Sequence, residues 1–272
     1  MFMGHFDFRR PMWRLGSWIV ISEILLCAPA MAGSKLEAKY VISAAGIPIG
    51  KSEITVQIDN DKYTVSATGR ASGFFTILIN GEGSVRVQGA VSEAGLQPKN
   101  FTASIKKDNE NSEVKMVIDG GSVVDLTAES SIPDKDRVPL TDAHRHGIVD
   151  PMTAILLPAG QSRTLSGDVC QRSLPIFDGR RRYDLDLSFK RMDEIKLATG
   201  YQGPVVVCAI KFKPIAGHHS SSLIVKYLSE GRELELWSAP IAGTPVLAPV
   251  RMTTTNLIGN LAVDAEQFAV TH

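Results

Sequence analysis

Apolar and polar residues alternate with a period of two along much of the chain from Tyr40 onward, the pattern of strands with one buried and one wet face. Ile54, Val56 and Ile58 alternate with Glu53, Thr55 and Gln57; Asn60-Asp61 supplies a turn, and Tyr63, Val65 and Ala67 resume the alternation. The spacing predicts a hairpin. Val85 and Val87 lead to a turn near Glu93 to Gly95, and Phe101, Ala103 and Ile105 follow; Val114, Met116 and Ile118 then precede Asp119-Gly120-Gly121. An antiparallel meander of this length tends to curl so that its edges are protected, which predicts a mainly β fold built as a half-barrel, barrel or β-spiral with one or two short helices. Its concave face would form a pocket.

The run from Gly73 to Ile79 breaks the alternation with Phe74, Phe75, Ile77, Leu78 and Ile79. It reads more simply as a strand buried on both faces, but Phe74 and Phe75 are also candidates for a lipophilic lip on the expected pocket. Residues 130–147 are polar and carry Pro133 and Pro139, so they read as a connection between two β-rich halves, about 33–130 and 148–272, of one domain. Asp150-Pro151 is a helix start, with Asp as N-cap and Pro at the first helical position, leading into Met152 to Leu157. Ser222 to Ser229, stopped by Gly231, is the second candidate helix. Tyr183, Leu185, Leu187 and Phe189 restart the alternation, Val205 to Cys208 is apolar on both faces and reads as a central strand, and Leu247 to Thr254 with Leu261 to Phe268 supplies a final pair. There is no repeat of solenoid length.

The first 32 residues have another organisation. Arg9, Arg10 and Arg14 precede the mostly apolar Leu15 to Cys27, and Ala30-Met31-Ala32 offers small residues for signal peptidase, so cleavage after Ala32 and a mature start at Gly33 in the periplasm are expected. A retained anchor would need about 20 continuous apolar residues, and Glu23 interrupts the run at a cost of roughly 2.5–3.5 kcal/mol at mid-bilayer. No transmembrane span is expected in the mature chain. Cys27 follows Leu25-Leu26, a poor context for lipidation, and Pro11 and Arg14 depart from a twin-arginine signal.

Export changes the reading of charge and cysteine. Of 29 basic and 29 acidic residues, three and two lie before Gly33, leaving 26 against 27. That near-balance argues against a nucleic-acid partner and gives no global attraction to anionic membranes. Cys170 and Cys208 remain as an even pair without CxxC spacing, which predicts a structural disulfide in an oxidising compartment.

Three constellations could carry chemistry. Asp142, His144, His146 and Asp150 offer imidazoles and carboxylates to a metal, although a polar loop with solvated imidazoles is the preferred reading. Asp178-Gly179-Arg180-Arg181-Arg182 is a turn entering a strand, where Arg180 and Arg182 share a face and could grip a phosphate or carboxylate; a solvated edge paired with Asp184 and Asp186 is the plainer account. His218-His219 before Ser220-Ser221-Ser222 juxtaposes base and hydroxyl, but no Gly-x-Ser-x-Gly turn accompanies it. No Walker loop, GxGxxG or HExxH occurs, and no cofactor is indicated.

Several short segments in combination carry a resemblance. Tyr40 to Gly50 with its Ala45-Gly46-Ile47-Pro48-Ile49-Gly50, Asp150-Pro151-Met152-Thr153-Ala154, Phe177 to Tyr183, Tyr201-Gln202-Gly203-Pro204 before Cys208, and Trp237-Ser238-Ala239-Pro240 are similar to an exported Gram-negative family catalogued as domain of unknown function 3108. The resemblance spans nearly the whole mature chain. It implies an envelope protein made mainly of strands, akin to the curved sheets of lipoprotein carriers or to β-spiral envelope-integrity proteins, and it transfers no activity. The combined expectation is a non-catalytic periplasmic protein that binds an amphipathic, lipid-like or anionic envelope component, or a protein partner, and supports envelope integrity. The alternative is a hydrolytic enzyme, with or without a metal, acting on envelope polymers through His144 to Asp150.

Overall fold

The computed structural model describes Met1, Gly4 and residues 33–72, 81–92, 95–107, 110–130, 136–159, 165–231, 234–256 and 259–272. The expected export segment, apart from Met1 and Gly4, and the Phe74 and Phe75 candidates lie outside the described residues. The first half contributes β1 (Ser34–Ala44), β2 (Ile47–Asp59), β3 (Lys62–Ala71), β4 (Gly81–Ser92), β5 (Gly95–Lys107), β6 (Glu110–Asp119) and β7 (Ser122–Ser130). The second contributes α1 (Pro151–Ala154), β8 (Leu157–Pro158), β9 (Arg172–Phe177), β10 (Arg182–Lys196), β11 (Thr199–Gly200), β12 (Gln202–Ala216), α2 (Leu223–Ser229), β13 (Leu234–Pro240), β14 (Val246–Asn256) and β15 (Gly259–Thr271).

The strands form one sheet in the order β7-β6-β5-β4-β3-β2-β1-β15-β14-β13-β12-β10-β9, with β8 added to β14 and β11 to β15. Every neighbour along that path is antiparallel. The fold is therefore mainly β, as the alternation predicts, with two short α-helices among the described residues. The two halves meet where β1 pairs with both β2 and β15. Tight two-residue connections set the registers of the first half: Ala44 pairs with Ile47 across Ala45-Gly46, Asp59 with Lys62 across Asn60-Asp61, and Asp119 with Ser122 across Gly120-Gly121. Ala45 and Gly46 both adopt positive φ, 49° and 80°, which matches the right-handed twist of the flanking strands.

One hydrophobic core draws on both halves: Leu36 and Tyr40 of β1, Val56 of β2, Val65 of β3, Met116 and Ile118 of β6, Phe177 of β9, Val205 and Val207 of β12, and Phe268 of β15. Tyr40 keeps its hydroxyl satisfied in that core by donating to the Pro249 carbonyl at 2.7 Å. The face expected to be an open concave pocket is thus largely packed with side chains. β12 is buried on both faces, as its apolar run predicts, because Val206, Cys208 and Ile210 enter a second cluster with Leu187, Leu236 and Leu247. The Cys170–Cys208 disulfide lies within that cluster, with Cα atoms 5.5 Å apart. It fastens the short 3₁₀ turn Gly167–Cys170 to β12.

The sheet is open, since β7 and β9 end it without pairing to each other. Curvature nonetheless brings its ends together at residues just beyond the expected connection of 130–147. Ile148 donates its N–H to the Gly121 carbonyl at 2.8 Å, between β6 and β7, while Val149 exchanges backbone hydrogen bonds with Pro175 and Phe177 of β9. Two residues span the seam and satisfy edge groups that would otherwise be unpaired.

Candidate functional site

The arginine turn has its local structure dictated by Asp178, whose Oδ1 accepts the backbone N–H groups of Arg180 at 2.8 Å and Arg181 at 2.6 Å. Gly179, at φ 91°, rests against β6, where a Cβ would come within 2.3 Å of the Val114 Cγ1. Arg180 then reaches across the seam and donates from Nη2 to the Glu129 carbonyl of β7 at 2.5 Å. Arg182 pairs instead with Asp184 at 2.5 Å and donates to the Tyr183 carbonyl. Both candidate arginines are engaged by the protein itself, and the turn works as a clasp between the two ends of the sheet.

The metal candidates separate. His144 Nδ1 accepts from the Thr141 N–H at 3.0 Å, while His146 faces Asp142 at 3.4 Å and Ser122 at 3.1 Å. Asp150 lies apart from them, fully buried, where its Oδ1 accepts from Met152 and Thr153 and caps α1. Burial pushes the Asp150 carboxyl pKa up despite those hydrogen bonds. Thr153 in turn shares a 2.7 Å hydrogen bond with the buried Tyr63 hydroxyl of β3. Among the described residues no three His, Cys, Asp or Glu side chains gather as a metal site. The His218 to Ser222 stretch is likewise architectural: His219 forms a β-bridge with Arg137, and Ser222 caps α2.

Two cavities differ sharply in character. A groove of about 580 Å³ crosses β2 to β5 and is lined by Lys51, Glu53, Arg70, Glu82 and Lys106 with several hydroxyls. Its charges of both signs are those of a solvated sheet face. A smaller cavity of about 210 Å³ lies where the start of β5, the seam residues 147–149, α1 and β9 converge. Leu96, Ile148, Leu156, Leu174 and Pro158 make it mostly apolar, and among its described lining residues Arg172 carries the one charge. The Arg172 Nε is buried without a hydrogen-bond partner. Burial pushes the pKa of that guanidinium down. Sequence reading passed over Arg172, yet a signal existed: it occupies the strand face that Leu174 and Ile176 continue, so a lone cation heads an apolar row.

A third cluster is self-satisfied. The Trp237 ring lies beneath the guanidinium groups of Arg191 and Arg251, 4.8 and 5.0 Å from its centroid, and its indole N–H donates to Glu235 at 2.8 Å. Glu235 also receives Lys190 and Arg191, while Arg251 pairs with Asp264.

Comparison with known proteins places these features in a family. No curated protein matches the chain. Among solved structures, a β-barrel-like protein of domain of unknown function DUF1849 from Brucella abortus is similar at 9% identity, covering 89% of this chain and 98% of its own, with a TM-score of 0.44. A candidate lipoprotein from Parabacteroides distasonis is similar at 10% identity, covering 88% and 96%, with a TM-score of 0.31. The model of the family described as protein of unknown function DUF3108 matches residues 39–266, and the chain belongs to that family.

Proposed function

We propose that this member of the DUF3108 family is an exported, non-catalytic binding protein of the bacterial periplasm, which holds an amphipathic envelope component and so supports envelope integrity. The observation that carries the reading is the cavity of about 210 Å³ with apolar walls and one cationic side chain. Small-molecule sites are generally concave, apolar and furnished with few polar groups. The Cys170–Cys208 disulfide is consistent with an oxidising compartment, and residues 1–32 act in this reading as the cleaved signal. The hydrolytic alternative draws no support from His144, His146 and Asp150, which do not converge.

Native mass spectrometry of the mature protein, released gently from the periplasm of an expressing bacterium, tests the proposal. The expected spectrum shows a protein beginning at Gly33 with an additional amphipathic mass that organic solvent removes. A bare protein that also takes up no added amphiphile would overturn the binding role, and retention of residues 1–32 in the cytoplasm would overturn the location.

A further inference from the structure

Arg172 stands at the start of β9 with Leu187 of β10 as its cross-strand partner, a buried apolar residue. A guanidinium in such surroundings normally finds a carboxylate, since removing a cation from water without compensation is unfavourable. Among the described residues none is in ion-pair contact with Arg172, its Nε has no acceptor, and every described neighbour lining the cavity is apolar or neutral. The Thr153 hydroxyl at the cavity wall is already taken by Tyr63. The group that the guanidinium fork matches best is an anion with a planar pair of acceptors.

The size of the cavity narrows the choice further. A volume of about 210 Å³ equals on the order of seven liquid water molecules, far below what a glycerophospholipid or an oligosaccharide occupies. It accommodates a short hydrocarbon segment bearing a compact head group. Resting on the binding role argued above and deepening it, we propose that the cavity is a monocarboxylate site, in which Arg172 forms a bidentate pair with the carboxylate of a short or medium acyl chain whose tail lies against Leu96, Ile148 and Leu174.

Isothermal titration of the mature protein with octanoate, and with octanamide as its uncharged counterpart, tests this directly. Octanoate is expected to bind at least ten-fold more tightly than octanamide, a preference that Arg172→Gln abolishes and Arg172→Lys restores in part. Because no described residue pairs with the Arg172 side chain, the thermal midpoint of the ligand-free Arg172→Gln protein should equal or exceed that of the wild type; a lower midpoint would reveal a structural role and count against the proposal. Equal binding of both probes to wild type and to Arg172→Gln would overturn the carboxylate assignment while leaving amphiphile binding intact. No binding of either probe to the wild type would overturn both.

Discussion

Glu235 is surrounded by three donors. Partial burial would raise its pKa, but hydrogen bonds from Lys190, Arg191 and Trp237 outweigh that and hold it at about 2, below the usual 4.5. A carboxyl depressed in the folded state contributes stability that is fully present above its unfolded pKa and is lost as pH falls through the folded one. Thermal unfolding of Glu235→Gln should therefore show a lower midpoint than wild type at neutral pH, and the difference should shrink between about pH 4.5 and 2. A second residue-scale consequence concerns Gly217, at φ 79°, where a Cβ would lie 1.9 Å from the Arg180 carbonyl oxygen. Gly217→Ala is expected to cost about 2–3 kcal/mol in urea unfolding, through backbone strain and overpacking together. At this scale the sequence was least legible. Arg180 and Arg182 drew attention as a basic run, yet their partners, Glu129 and Asp184, include a residue on a strand at the opposite end of the sheet, a neighbour that no local pattern reveals.

Elements were easier to read because their signals are local. The period-two pattern located β2 and β3 through their buried Val56, Ile58, Tyr63 and Val65, and Asp150-Pro151 marked α1, though the helix ends at Ala154 rather than continuing to Leu157. β7 and β9 were missed as strands: β7 leaves Val124 exposed, and β9 is only six residues long with a proline in it. The disulfide could be proposed from cysteine number and compartment, but its partner elements emerged only with the structure. Closing a span of 38 residues, it should stabilise the fold by about 4 kcal/mol in the chain-entropy model. The Cys170→Ser, Cys208→Ser protein is accordingly expected to lose about that much unfolding free energy, read as a lower urea midpoint, and reductant should shift the wild type in the same direction without affecting the double variant.

For the molecule as a whole, the fusion of the strands into one sheet was not legible, because pairing of β1 with β15 joins Lys35 to Thr271, residues more than two hundred positions apart that no local pattern connects. Both halves also feed a single core, with Leu36 and Phe268 among its most deeply buried members. Residues 33–130 or 148–272 expressed alone should then give poorly dispersed amide spectra, whereas residues 33–272 together should unfold in one cooperative transition. Independent folding of either half would contradict the shared core.

The pairing of first strand with last has a consequence for biogenesis. A ribosome delivers β1 long before β15, so β1 must pass through synthesis with one edge exposed. Such an edge is a template for joining another chain. Lys35, Glu37 and Lys39 alternate with the buried Leu36, Ala38 and Tyr40 along it, and place charge of both signs on the face that stays wet. Exposed charges of this kind flanking apolar strand positions oppose such pairing, so neutralising all three should increase the insoluble fraction of newly made protein in an expression assay while leaving the finished fold almost as stable.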